Sequence, residues 1–87
     1  MITKTMTVQL PNGLESRPVA MLVQIASRFD SEIKIESGTR KVNAKSIMGM
    51  MALGLDTGES ICVYANGEDE EKAVESIESY LSSGKTA

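Results

Sequence analysis

Lys45-Ser46-Ile47-Met48-Gly49-Met50-Met51 places one hydroxyl directly before an uncharged, apolar run. A serine there is a standard helix N-cap, and capping alone is worth about 1 kcal/mol. The same hydroxyl is also an acceptor for phosphate. A phosphoserine carries roughly −1.5 to −2 charge at pH 7, and at a helix start it meets free N–H groups and the positive end of the dipole. Ile47, Met48, Met50, Met51, Leu53 and Leu55 crowd into nine positions. A two-turn helix lying on a sheet cannot bury all of these. Met50 and Leu53 fit core packing, and the methionine-rich excess has the character of an adaptable protein-docking patch.

A second group of polar residues lies in Asn12-Gly13-Leu14-Glu15-Ser16-Arg17-Pro18. A carboxylate at Glu15, near a helix start, gains about 0.3–1 kcal/mol from the dipole, and Arg17 can pair with it. Catalysis would need a second acid, a nucleophile with its base, or a metal cluster. Asp30 and Glu32 supply none of these at ligand spacing, and the chain contains no histidine. Imidazole base chemistry, imidazole metal ligation and phosphohistidine are therefore excluded. No catalytic residue, metal site or cofactor is expected.

The elements that must position these residues follow from periodicity. Met6, Val8 and Leu10 alternate with polar neighbours as a half-buried strand, which Pro11-Asn12-Gly13 ends. Pro18 fits a first helical turn, and Val19, Leu22, Val23, Ala26 and Phe29 recur at helical spacing. Gln24, Ser27 and Arg28 stay outside. Glu32 to Glu36 alternates as a second strand, and Ser37-Gly38-Thr39 turns it into a short partner, Arg40 to Asn43. Ser46 to about Leu53 is a short helix. Ile61, Val63 and Ala65 form the inner face of a fourth strand, with Cys62 on the more exposed side. Beyond Asn66-Gly67, a helix over about Asp69 to Ser82 buries Ala73, Val74, Ile77, Tyr80 and Leu81, with acids at its N-terminus. The order β-α-β-β-α-β-α predicts an α+β fold: an open-faced β-sandwich, with a four-stranded antiparallel sheet and three helices on one face.

Composition sets the outer limits. The 87 residues correspond to a single domain, 1–87. With a net charge of −3 and scattered cations, direct nucleic-acid binding is not expected. No apolar run approaches the roughly 20 residues of a membrane span, and no signal peptide is visible. Cys62 is the only cysteine, which fits a reducing cytoplasm.

Taken together, Gly13-Leu14-Glu15-Ser16-Arg17-Pro18, the Ser46 motif and Asn66-Gly67-Glu68-Asp69-Glu70 make the chain resemble the HPr family of the bacterial phosphotransferase system, nearly end to end. The resemblance implies the same open-faced sandwich. In the carriers of that family, a phosphate-accepting histidine stands where this chain has Glu15, and the arginine matching Arg17 steadies the phosphoryl group. In Gram-positive members, the serine matching Ser46 is phosphorylated by HPr kinase/phosphorylase. The modified protein then serves as corepressor of catabolite control protein A, a LacI-type repressor. Members without the histidine but with the serine form the Crh (catabolite repression HPr) branch, which this sequence resembles. Crh proteins carry glutamine at the position of Glu15, so the acid departs from both patterns.

The resemblance thus implies a non-enzymatic, cytoplasmic regulator of carbon catabolite repression, modified at Ser46 and docking through Arg17, Ile47, Met48, Met51 and Glu15. Two other readings stay open. Glu15 could accept phosphate as an acyl phosphate, or the protein could be a decoy or scaffold held in one state. Some Crh proteins dimerise by exchanging the first strand, and nothing between Met1 and Gln9 decides that here.

Overall fold

A computed structural model describes residues 1–9, 16–53 and 58–83. Its elements are β1 (Ile2–Thr7), α1 (Ser16–Ser27), β2 (Glu32–Ser37), β3 (Arg40–Asn43), α2 (Ile47–Leu53), β4 (Ser60–Asn66) and α3 (Glu70–Ser83). All pairings are antiparallel, and the strands lie in the order β1-β4-β2-β3. The expected fold class and element order hold. Ile33, Ile35, Ile61, Val63 and Ala65 point to the helices and are buried, while Cys62 and Tyr64 alternate with them on the open face. From the helical layer, Val19, Leu22, Ala26, Met50, Ala73, Ile77 and Leu81 close the core.

The first strand lies earlier than the alternation of Met6, Val8 and Leu10 implies. Its ladder with β4 runs from Ile2↔Ala65 to Thr7↔Ser60, and β4 begins at Ser60. Beyond that the pairing continues only as separate bonds: Val8 N–H to the Glu59 carbonyl, Gly58 N–H to the Val8 carbonyl, and Gln9 N–H to the Leu81 carbonyl of α3. Val8 is still fully buried. Leu10, Leu55 and the turn at Pro11-Asn12-Gly13 lie outside the described residues.

α1 stops at Ser27, two residues short of Phe29. Arg28 N–H bonds to the Ile25 carbonyl and Phe29 N–H to that of Ala26, so the last turn tightens to an i−3 pattern. Phe29 is half-buried as a result. Ile25, absent from the expected helical stripe, is buried, because the apolar face of α1 is wider than the 19-22-23-26 row. The turn between β2 and β3 is two residues long. Gly38 leads it with φ 62°, a left-handed conformation that glycine adopts without steric cost.

Candidate functional site

Ser46 is the N-cap of α2. Its hydroxyl accepts the Gly49 N–H at 3.2 Å, and its carbonyl accepts the Met50 N–H at 3.0 Å. The entrance to the helix is held by Asn43. The Asn43 side chain accepts the Lys45 N–H at 2.9 Å, and its carbonyl accepts the Ser46 N–H at 3.0 Å. This local side-chain-to-backbone turn leads the chain from β3 into the helix across three residues, Ala44 to Ser46. Ser46 itself is half-exposed.

Only one side chain of α2 is fully buried. Met50 has no exposed surface and Leu53 packs partly on the core, whereas Met48 is 81% exposed, Met51 52% and Ile47 45%. A hydroxyl and three large apolar side chains therefore share one uncharged projection. Two cations brace it from behind. Arg40 Nη1 donates to the Ala52 carbonyl at 3.0 Å, in the last turn of α2. Lys45 Nζ donates to the Phe29 carbonyl at 2.7 Å, just past the end of α1. Neither contact is signalled in the sequence, since each joins residues far apart in the chain.

Glu15 and Arg17 are the other two site residues named from the sequence. Glu15 lies outside the described residues, and so does the Arg17 side chain, although Arg17 belongs to α1.

A polar clasp stands at the other end of the helical layer, around Asp69. This carboxylate accepts the Asp30 N–H at 2.9 Å, the Ser31 N–H at 3.0 Å and the Ser31 hydroxyl. The Ser31 hydroxyl, followed by the Asp30 N–H, holds the Asp69 carboxyl below its ordinary value. Ser31 is fully buried. Asp69 was legible from sequence only as an acid complementing the α3 dipole. In the structure its side chain instead ties the α1–β2 turn to the start of α3. The approach is close: a Cβ on Gly67 would lie 2.5 Å from the Ser31 hydroxyl oxygen and 2.7 Å from its Cα. Only glycine fits there.

On the open face of the sheet, Tyr64 donates to Glu36 Oε1 at 2.7 Å, and Lys41 Nζ sits 3.9 Å above the Tyr64 ring. The bond to Glu36, and then the Cys62 side chain, push the Tyr64 phenol above its ordinary range. Cys62 is a half-exposed free thiol in this row. Among the described residues, no group of three or more His, Cys, Asp or Glu side chains could hold a metal, and no helix is long and apolar enough to cross a membrane.

A family profile described as the PTS HPr component phosphorylation site matches residues 2–83. The HPr-like protein Crh of Bacillus subtilis is 44% identical over 81 residues, covering 93% of this chain and 95% of that protein. The crystal structure of the phosphocarrier protein HPr from Bacillus anthracis superimposes with a TM-score of 0.90 at 45% identity, covering 92% of this chain and 95% of that one. A crystal structure of the Bacillus subtilis Crh, described as a domain-swapped dimer, gives a TM-score of 0.74 at 44% identity, over 93% of each chain. On the family match and on these relatives, the chain belongs to the HPr family and has Crh proteins among its homologues.

Proposed function

We propose that this protein is a non-catalytic, cytoplasmic regulator of carbon catabolite repression, switched at Ser46. HPr kinase/phosphorylase adds the phosphate, and the modified protein is the corepressor of catabolite control protein A. The observation that carries this reading is the α2 projection: a half-exposed capping hydroxyl beside exposed Ile47, Met48 and Met51.

The chemistry suits that site. In the unmodified protein the Ser46 oxygen already accepts the first-turn Gly49 N–H. A phosphoryl group on it places further acceptor oxygens near the donors of that turn, so the helix accepts the modification without unfolding. The new dianion offers a basic pocket on the repressor charge-assisted hydrogen bonds, and the three apolar side chains supply dry contact beside it. Arg17 pairs with an acid on the repressor, and Glu15 adjusts partner choice through its charge. Sugar-transport phosphotransfer through histidine is excluded by the absence of that residue. DNA is reached only through the repressor, in keeping with the net charge of −3.

Incubation with the kinase and ATP is expected to add one phosphate, lost in Ser46→Ala, and only the modified form is expected to bind the repressor. Equal binding by wild type and Ser46→Ala would end the proposal. A second reading, with Glu15 as an acyl-phosphate acceptor beside Arg17, rests on the place Glu15 holds in the family motif. Phosphoenolpyruvate and enzyme I would then give a hydroxylamine-labile label, and its absence removes that option.

A further inference from the structure

α2 is a poor candidate for an autonomous helix. It has seven residues, well below the roughly 12–15 at which isolated helices become even marginal in water. Met50 is its one fully buried side chain, and the helix packs mainly on α1 and β3. The projection it carries nevertheless has to present Met48 and Met51 in one fixed arrangement. The N-terminal end is held by the Ser46 cap and by Asn43. At the C-terminal end, the Arg40 guanidinium makes the corresponding contact, on the Ala52 carbonyl at 3.0 Å.

Arg40 is placed for this by the sheet. In the β2–β3 ladder, Lys41 opposite Glu36 belongs to the open face, where it lies over Tyr64. Arg40 and Val42 therefore belong to the helix side, and Val42 packs against the core. From that side Arg40 reaches over the last turn of α2. A cation there also meets the negative end of the helix dipole. β3 is the short outer strand of the sheet, so its first residue both ends the hairpin and anchors the helix.

We propose that Arg40 is a positioning residue for the docking face. By holding the Ala52 carbonyl it orders the last turn of α2 and sets the orientation of Met51, and through the helix that of Met48. This rests on the reading of α2 as the repressor-docking element, so its test has one arm that involves no partner. In that arm, amide hydrogen exchange is followed at residues 51–53 in the isolated protein. Arg40→Met keeps the apolar stem and removes the donors, and is expected to speed exchange there about five-fold, the scale of one hydrogen bond. Arg40→Lys is expected to recover part of the protection. Glu78→Gln, which removes the charge from an exposed ion pair with Lys4 elsewhere, is expected to leave it unchanged.

In the second arm, the same proteins carrying phosphoserine at position 46 are titrated with the repressor. Arg40→Met is expected to bind about five-fold more weakly, Arg40→Lys to recover, and Glu78→Gln to match wild type. Unchanged exchange in Arg40→Met overturns the brace. Faster exchange with unchanged affinity overturns its role in docking. If phosphorylated wild type fails to bind, the regulatory reading falls and the docking role with it, while the exchange measurement still decides whether Arg40 orders the helix.

Discussion

At the scale of single residues, Ser46 and Asp69 do different work with the same kind of bond. Ser46 satisfies an orphan N–H of its own helix, so Ser46→Ala is expected to destabilise the protein by about 1 kcal/mol in urea unfolding, besides abolishing phosphorylation. Ser46→Asp keeps a capping oxygen and is expected to recover most of that loss. Asp69 bonds across the fold, to the Asp30 and Ser31 N–H groups and the Ser31 hydroxyl. Its folded-state pKa is lowered from the ordinary aspartate value of 3.8. The ionised clasp therefore contributes fully above about pH 4, and its contribution is lost as pH falls through the lower folded value. Asp69→Asn is expected to flatten the acid limb of a stability–pH profile. An unchanged acid limb would show that the clasp carries no charge-dependent stability. At Gly67 the missing Cβ is the requirement, because Ser31 occupies its space. Gly67→Ala is expected to cost about 1–3 kcal/mol by forcing the two segments apart.

At the scale of elements, α2 separates packing from presentation along one short sequence. Met50 is fully buried, so Met50→Ala is expected to cost about 2–5 kcal/mol in denaturant unfolding. Met48, with 81% of its surface exposed, is expected to change stability by less than about 0.5 kcal/mol on mutation to alanine. Repressor affinity is expected to behave in the opposite way for Met48→Ala, falling without loss of fold. Identical stability losses at both positions would contradict the described orientation of the helix. The apolar excess of this segment was legible in the composition. Which methionine went inside was assigned correctly for Met50, because one face of a two-turn helix on a sheet must be buried. The braces from Arg40 and Lys45 were not legible, since a basic side chain carries no sign of the distant carbonyl it will meet.

For the molecule as a whole, β1 is an element whose sheet pairing is one-sided. It is an outer strand, paired on one side with β4 and touched by α3 through Lys4 and Glu78 at 2.7 Å. The Bacillus subtilis relative is described as a swapped dimer. A homodimer of this chain by strand exchange would reuse the Ile2–Thr7 ladder between two copies, with the same register and no new interface chemistry. Light scattering across a concentration series tests this: a dimer that returns to monomer slowly would mark exchange, which requires β1 to leave its sheet. A strictly monomeric protein at all concentrations would remove strand exchange from its repertoire.

The sequence by itself determined the order of elements, the inner faces of β2, β4 and α3, and the absence of any imidazole chemistry. These follow from periodicity and composition, which are local properties of the chain. It also marked Ser46 as a cap, because a hydroxyl before an apolar run lies within reach of the first-turn N–H groups of its own helix. Tertiary structure alone decided the rest. Where β1 ends was set by the length of β4 beside it, and the burial of Ile25 by the breadth of the α1 face against its neighbours. The Ser31–Asp69 clasp and the Arg40 and Lys45 braces join segments distant in sequence, and such contacts depend on how the layers close rather than on any pattern within one segment.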